Sequence, residues 1–190
     1  MRTFTILIIL VLIAVGVGLY VIFSGSYDVT AIHPHGSLIS WAAGTAVDNA
    51  VRRHAKGIPV PPLGGTAQIA EGFLHYHEMC ITCHGAPGIL HSEIGEGLYP
   101  PPPDLKEAIK DWTPAELFWI LKTGFKDTGM PAFGPTHSDQ ELWAMTAFAL
   151  RLPTMSPGQY DSLRIASGLP KEDEREETNS GASVQHQGNY

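Results

Sequence analysis

The sequence contains little cysteine and little positive charge. Only two cysteines occur among its 190 residues, and neither follows the apolar amino-terminal run closely enough to carry a lipid at a new amino terminus. Lysine and arginine total 12 against 19 aspartates and glutamates, which gives a net charge of −7. This balance argues against a nucleic-acid-binding protein, because phosphate backbones attract basic surfaces. The sequence also offers no convincing pairing of a nucleophile with a general base.

Charge is almost absent from the amino-terminal segment, residues 1–25. Arg2 is the only charged residue before an apolar run over residues 4–23, and a run of about 20 residues can cross the hydrocarbon core as a helix. The sequence therefore predicts a single-pass transmembrane anchor with its amino terminus inside. Residues 24–26, Ser-Gly-Ser, are an alternative cleavage site for a signal peptide, so retention of the anchor stays open.

The two cysteines belong to one short motif, Cys80-Ile81-Thr82-Cys83-His84. Two thiols one helical turn apart can form thioethers with the two vinyl groups of one porphyrin, and the adjacent histidine can ligate its iron. The motif therefore predicts one covalently bound haem c. A redox dithiol would need a strand–helix context that is not visible here. A zinc site would need two further ligands, for which histidines are available.

A second motif downstream supplies a candidate for the other iron ligand. Met130 stands between Gly129 and Pro131 in a glycine-rich loop, where glycine permits close backbone approach and proline stiffens the chain. Methionine is a frequent partner of histidine on the iron of electron-transfer cytochromes, and it raises the reduction potential. We therefore predict Met130 as the distal ligand. The alternatives are Met155, His91 and His137.

These motifs resemble the class I cytochrome c family in content and order. The sequence C-I-T-C-H-G is followed by Y-P-P-P-P-D-L, by G-M-P-A-F-G and by a last helix with aromatic residues. The resemblance covers residues 66–153 and is strongest to membrane-anchored bacterial members with a single haem. It implies an all-α fold of three to four helices around one haem, with His84 as proximal and Met130 as distal ligand. It also implies that the first helix crosses the last at a glycine and an aromatic residue. Gly72 and Tyr76 are the candidates on the first helix, and Phe148 or Trp143 on the last.

The remaining segments are expected to serve this domain. Residues 26–65 are interpreted as a spacer with one amphipathic helix, at about 37–55, and a proline-rich linker. The haem domain itself is predicted to contain a first helix capped by Thr66 and helices that begin at Thr113 and Ser138, the last two each with a capping box. The helix after Thr113 is expected to turn Leu117, Phe118, Ile120 and Leu121 towards the haem pocket. The proline run, residues 100–103, is expected to lie against the porphyrin edge on the His84 side. Residues 154–190 are expected to form an acidic tail, and beyond Leu169 they are too polar to order.

The expected function is electron transfer rather than catalysis. Iron with both axial positions filled has no site for substrate or oxygen, so the protein is not expected to be an enzyme. Its expected partners are redox proteins, a dehydrogenase and/or a terminal oxidase, and neither a nucleic acid nor a small-molecule substrate. Because covalent haem attachment occurs outside the bacterial plasma membrane, the haem domain is placed on the periplasmic side. A fixed subunit of a larger membrane complex and, less well supported, a haem-based sensor are the alternatives.

Overall fold

The part of the chain that the structure describes is helical. The computed structural model describes residues 1–170, and within them it contains no β-strand. The all-α class expected from the sequence is confirmed. The α-helices in these residues are α1 Arg2–Ser24, α2 Ser37–His54, α3 Thr66–Met79, α4 Ile81–His84, α5 Glu93–Glu96, α6 Leu105–Ala108, α7 Pro114–Thr123, α8 Asp139–Ala149 and α9 Pro157–Ala166.

The chain divides into two compact units, Met1–His35 and Gly36–Tyr190. In the first unit, α1 contains no buried residue, and its mean hydropathy over 18 residues is 3.2. By length and composition α1 can cross a membrane, and a signal sequence has the same properties. In the turn that follows, hydrogen bonds from the backbone N–H and hydroxyl of Thr30, and from His33, lower the pKa of Asp28 to about 2.

The second unit is built around the crossing of α3 and α8. A Cβ atom at Gly72 would overlap the carbonyl group of Ala144 and would lie 2.8 Å from Cβ of Phe148. Only glycine therefore allows the two helices to approach this closely. The rings of Tyr76 and Phe148 pack beside the contact with centroids 5.2 Å apart. The crossing implied by the family resemblance is present, with Phe148 as the aromatic partner on α8.

The core next to this crossing includes a helix that lies beyond the expected end of the domain. Tyr160 on α9 is 1% exposed, and its ring packs against Phe73 with centroids 5.2 Å apart. The prediction that a tail begins at residue 154 is therefore wrong for Pro157–Ala166. A capping box at Ser156 and Gln159 starts this helix, and its aromatic residue supplies the apolar area that holds it on the core. The acidic run beyond residue 170 lies outside the described residues.

The other helix ends follow the sequence signals closely. Thr113 with Glu116, and Ser138 with Glu141, form the two predicted capping boxes of α7 and α8. The helix α7 ends at Thr123, and the C-cap residue Gly124 has a φ of 57°, which glycine adopts at little cost. The prediction that Thr66 caps α3 is wrong, because Gly65 occupies the N-cap and Thr66 is the first helical residue.

The helix α2 also belongs to the second unit. Val51 and Ala55 near its carboxyl end are 0% and 3% exposed. In contrast, Leu38 and Trp41 in its first turns are 72% and 66% exposed. The amphipathic helix predicted for residues 37–55 is therefore present, but the rest of its unit covers only the carboxyl-terminal part of its apolar stripe.

The helix crossing predicts a large effect for one added methyl group. We expect Gly72→Ala to lower the free energy of unfolding by about 2–3 kcal/mol, because the helices must separate to accommodate it. Gly44→Ala is the matched control, since Gly44 is also helical and a Cβ atom added there would have no other atom within 4 Å. The control should be neutral or stabilising by up to about 1 kcal/mol. Denaturant titration of both variants measures this, and equal stabilities would contradict the proposed role of the crossing.

Candidate haem site

An apolar cavity lies among the segments that carry the predicted haem-binding residues. Cys80, Cys83, His84 and Met130 all line it. The remaining wall is almost entirely apolar, which suits the large faces of a porphyrin. It includes Val47, Tyr76, Met79, Leu98, Pro100, Pro101, Pro102, Pro103, Leu105, Ala108, Ile109, Trp112, Leu117, Ile120, Leu121, Phe125, Phe133, Met145 and Ala149. The residues present therefore fit a haem group.

The cysteine motif enters this cavity as a single helical turn. Cys80 separates α3 from α4, with φ −104° and ψ −33°. The backbone N–H of His84 donates to the carbonyl of Cys80 over 2.9 Å, and that of Gly85 donates to the carbonyl of Ile81 over 2.8 Å. These bonds place the two thiols one turn apart on the same cavity wall, as two thioether bonds to one porphyrin require.

The environment of the cysteines bears on the redox-dithiol and zinc alternatives to haem. Burial, with a smaller effect of Cys83, raises the pKa of the Cys80 thiol to about 12. A reactive redox dithiol depends on a lowered pKa, so the thioredoxin-like alternative is disfavoured. Among residues 1–170, no group of three or more His, Cys, Asp and Glu side chains is arranged to hold a metal ion.

The imidazole of His84 is held by the proline-rich loop. Its Nδ1 lies 2.9 Å from the carbonyl oxygen of Pro103, so the Nδ1–H group donates and Nε2 keeps its lone pair for a metal. Burial lowers the pKa of His84, and the hydrogen bond from Nδ1 partly opposes that effect. Both the orientation and the neutral state therefore suit an iron ligand. The proline run packs on the His84 side of the cavity, as the sequence led us to expect.

A buried hydrogen bond fixes the end of the cysteine motif to α3. The hydroxyl of Tyr76 donates to the carbonyl oxygen of Gly85 over 2.6 Å. Gly85 has a φ of 64°, and a Cβ atom there would lie 2.6 Å from the carbonyl oxygen of Ile89. Burial raises the pKa of Tyr76, so the hydroxyl stays a donor. The hydrogen bond and the close packing at Gly85 thus fix the direction in which the backbone leaves His84.

The loop that carries Met130 is held by its own hydrogen bonds. The Thr128 hydroxyl donates to the carbonyl of Phe125 over 2.9 Å and accepts from the Met130 N–H over 3.1 Å. The Phe125 N–H in turn donates to the carbonyl of Met130 over 3.2 Å. These bonds close a compact loop from Phe125 to Met130, so the methionine backbone has a defined position.

The end of α7 anchors the same loop. The N–H groups of Phe133 and Gly134 donate to the carbonyls of Leu121 and Lys122 over 3.1 and 3.0 Å. A Cβ atom at Gly124 would lie 2.5 Å from the carbonyl carbon of Pro131. Glycine at this point therefore allows the returning part of the loop to lie directly on the helix end.

The competing ligands are positioned less favourably than Met130. His91 and Met155 line a neighbouring cavity, which shares His84, Pro102 and Pro103 with the haem cavity, but they do not line the haem cavity itself. The ring of His137 packs edge-on to His75, with centroids 5.2 Å apart. Met145 does line the haem cavity, but it is 3% exposed and belongs to a core cluster on α8.

Sequence reasoning missed part of the cavity wall and misplaced one residue. It did not identify Val47, Leu98 or Trp112, because those residues come from segments without a ligand motif. It expected Phe118 to face the cavity, whereas its ring stacks on Trp143 with centroids 4.1 Å apart. The apolar stripe of α2 was the one signal that could have indicated Val47.

The hydrogen bond between Tyr76 and Gly85 can be tested without disturbing the packing. We expect Tyr76→Phe to lower the free energy of unfolding by about 1–2 kcal/mol, because the Gly85 carbonyl loses its buried partner. Tyr27→Phe is the control, since Tyr27 is 47% exposed and surface changes of this kind are nearly neutral. Denaturant titration measures both changes. Equal stabilities of the two variants would show that the hydroxyl does not hold the motif.

Comparison with known proteins agrees with this geometry. Residues 67–148 match a family model described as cytochrome C oxidase, cbb3-type, subunit III. No curated protein matched the chain. The matched segment contains the cysteine motif, the proline run and Met130, together with the α3–α8 crossing. Residues 67–148 therefore form a class I c-type cytochrome domain, which supports the cytochrome c family and implies haem-based electron transfer.

Proposed function

We propose that this protein is a membrane-tethered cytochrome with one haem c, which carries single electrons between respiratory or periplasmic redox partners. Cys80 and Cys83 hold the haem through thioether bonds, His84 is the proximal iron ligand, and Met130 is the distal ligand. The observation that carries this proposal is that all four side chains line one apolar cavity, although Met130 comes from a different loop. When bound, the haem supplies a one-electron couple.

The surrounding residues support this role by keeping the site rigid and dry. The Pro103 carbonyl holds the His84 ring in one tautomer. The hydrogen bonds of Thr128 hold the Met130 backbone. Apolar walls exclude water, and both burial and a methionine ligand favour a raised reduction potential. Ligands that stay in place in both oxidation states suit electron transfer better than catalysis, so we do not propose an enzymatic activity.

The proposed location is a bacterial plasma membrane, with the haem domain on the periplasmic side. Helix α1 supports an anchor, since it is 23 residues long and uncharged after Arg2. Maturation of haem c outside the plasma membrane supports the orientation, as does the single positive charge at the amino terminus.

A second candidate is a fixed haem subunit of a larger membrane dehydrogenase or oxidase complex. The description of the matched family, an oxidase subunit, favours this candidate. The exposed apolar side chains of Leu38 and Trp41 on α2 also favour it, because such side chains are frequent in protein interfaces. In this case electrons pass within one assembly rather than between diffusing partners.

The ligand assignment is tested by the optical spectrum of Met130→Ala. We expect the wild type, produced in a host that matures haem c, to be six-coordinate and low-spin, with pigment that stays on the denatured chain. The variant should lose the far-red methionine–iron band and bind carbon monoxide in its reduced form, because an axial position becomes open. Met155→Ala is the control and should keep the band, since Met155 lines a different cavity.

Other spectra would favour other functions. Carbon monoxide binding by the reduced wild type at neutral pH would support the haem-based sensor. Bis-histidine iron in the wild type would refute the Met130 assignment. Absence of covalently attached haem would refute the roles of Cys80 and Cys83.

The tether and the two candidate assemblies are tested by purification from membranes in a mild detergent. For the free carrier we expect a monomer in the membrane fraction, with the mass of the 20.6 kDa chain plus one haem. Stoichiometric companion subunits would favour the fixed-subunit candidate. An intact mass lacking the first segment of about 25 residues, with the protein in the soluble periplasmic fraction, would show that α1 is a cleaved signal sequence.

A further inference from the structure

A wall of the haem cavity comes from outside the matched family segment. Helix α2, Ser37–His54, lies before residues 67–148 in the chain and is separated from them by a proline-rich linker, yet its Val47 lines the cavity. One turn later Val51 is 0% exposed. Residues four apart lie on the same face of a helix. The face of α2 that carries Val47 and Val51 therefore packs towards the haem cavity.

Two ring contacts fix the rotation of α2 about its axis. The imidazole of His54 stacks on the indole of Trp119 of α7, with centroids 5.5 Å apart and planes inclined by 7°. The guanidinium carbon of Arg52 lies 5.7 Å from the ring centroid of Trp112, within the range of a cation–π interaction. Trp112 itself lines the cavity. The positive charge of Arg52 is therefore held against the cavity wall.

A cation next to this wall is suitably placed to pair with a negatively charged group of the proposed cofactor. A haem carries two carboxylates, which must be hydrated or paired with positive charge when the ring is buried. Among the described residues that line the cavity there is no lysine or arginine. Lys110 and Lys122 elsewhere in the unit are paired with Glu107 and Asp139. Arg52 has five donors in a planar fork, the geometry that suits a carboxylate.

We propose that Arg52, positioned on Trp112 by the packing of α2, binds a carboxylate of the haem and raises its reduction potential. This inference rests on the proposed function. Reduction of the haem removes one positive charge, so a nearby cation stabilises the reduced form. On this proposal α2 is part of the haem site rather than a spacer, and Arg52 is a cofactor-binding residue that lies outside the family segment.

The test compares three variants of the full-length, haem-loaded protein: Arg52→Gln, Arg52→Lys and Arg53→Gln. The last is the matched control, because it removes the same charge from the next exposed residue of the same helix. We expect Arg52→Gln to shift the redox equilibrium about threefold toward the oxidised form, or about 28 mV at 59 mV per tenfold for one electron. Arg53→Gln should shift it much less, and Arg52→Lys should restore most of the wild-type potential.

A second readout separates charge pairing from simple packing. Resonance Raman bands of the haem carboxylates should change in Arg52→Gln and stay at wild-type positions in Arg53→Gln. Equal potentials and equal Raman bands in the two glutamine variants would overturn the inference. The inference would also be overturned if Arg52→Gln lowered the denaturation midpoint but changed the reduction potential no more than Arg53→Gln does. Arg52 would then only stabilise the packing of α2.

The two proposals fail in different ways. If wild-type protein holds no covalent, low-spin haem, the proposed function is refuted, and the inference about Arg52 with it. If all four proteins show the same low-spin spectrum but Arg52→Gln behaves like Arg53→Gln, only the inference about Arg52 is refuted.

Discussion

The close crossing of α3 and α8 at Gly72 is the constraint on which the rest of the haem domain depends. Because the Ala144 carbonyl occupies the space of a Cβ atom there, the two helices meet in one register. That register sets where α3 ends, and α3 ends at Met79, directly before Cys80, the first residue of the cysteine motif. The position of the motif therefore follows from a contact two turns away that involves no functional residue.

Loops with little regular structure then build most of the cavity. Such loops are hard to stabilise alone, because they bury few apolar groups and leave backbone groups to satisfy. Here individual hydrogen bonds hold the loop segments next to the predicted iron ligands. They join Tyr76 to Gly85, His84 to Pro103 and Thr128 to Phe125. The first two tie the cysteine motif to other segments, and the third closes the methionine loop on itself. The site is therefore rigid where ligands must be held, although its walls are not helical throughout.

Helix α2 and helix α9 extend the domain beyond the segment that matches the family. One contributes Val47 to the cavity, and the other contributes Tyr160 to the aromatic core. Helices in proteins gain most of their stability from the packing of an apolar face, and both of these helices pack on the family segment. Members of one fold can acquire different electron-transfer properties through such additions, while the motifs for the cofactor remain the same.

The sequence by itself determined the class of the fold, the haem motif, the candidate Met130 and the starts of α7 and α8. These features depend on local spacing, as in Cys80 and Cys83 or in the capping box of Thr113 and Glu116, and local spacing is readable without a structure. Only the tertiary structure decided that Met130 and not His91 reaches the cavity, that Phe118 turns toward Trp143, and that α2 and α9 pack on the core. Those outcomes depend on which distant side chains compete for the same buried space, and one-dimensional periodicity does not contain that information.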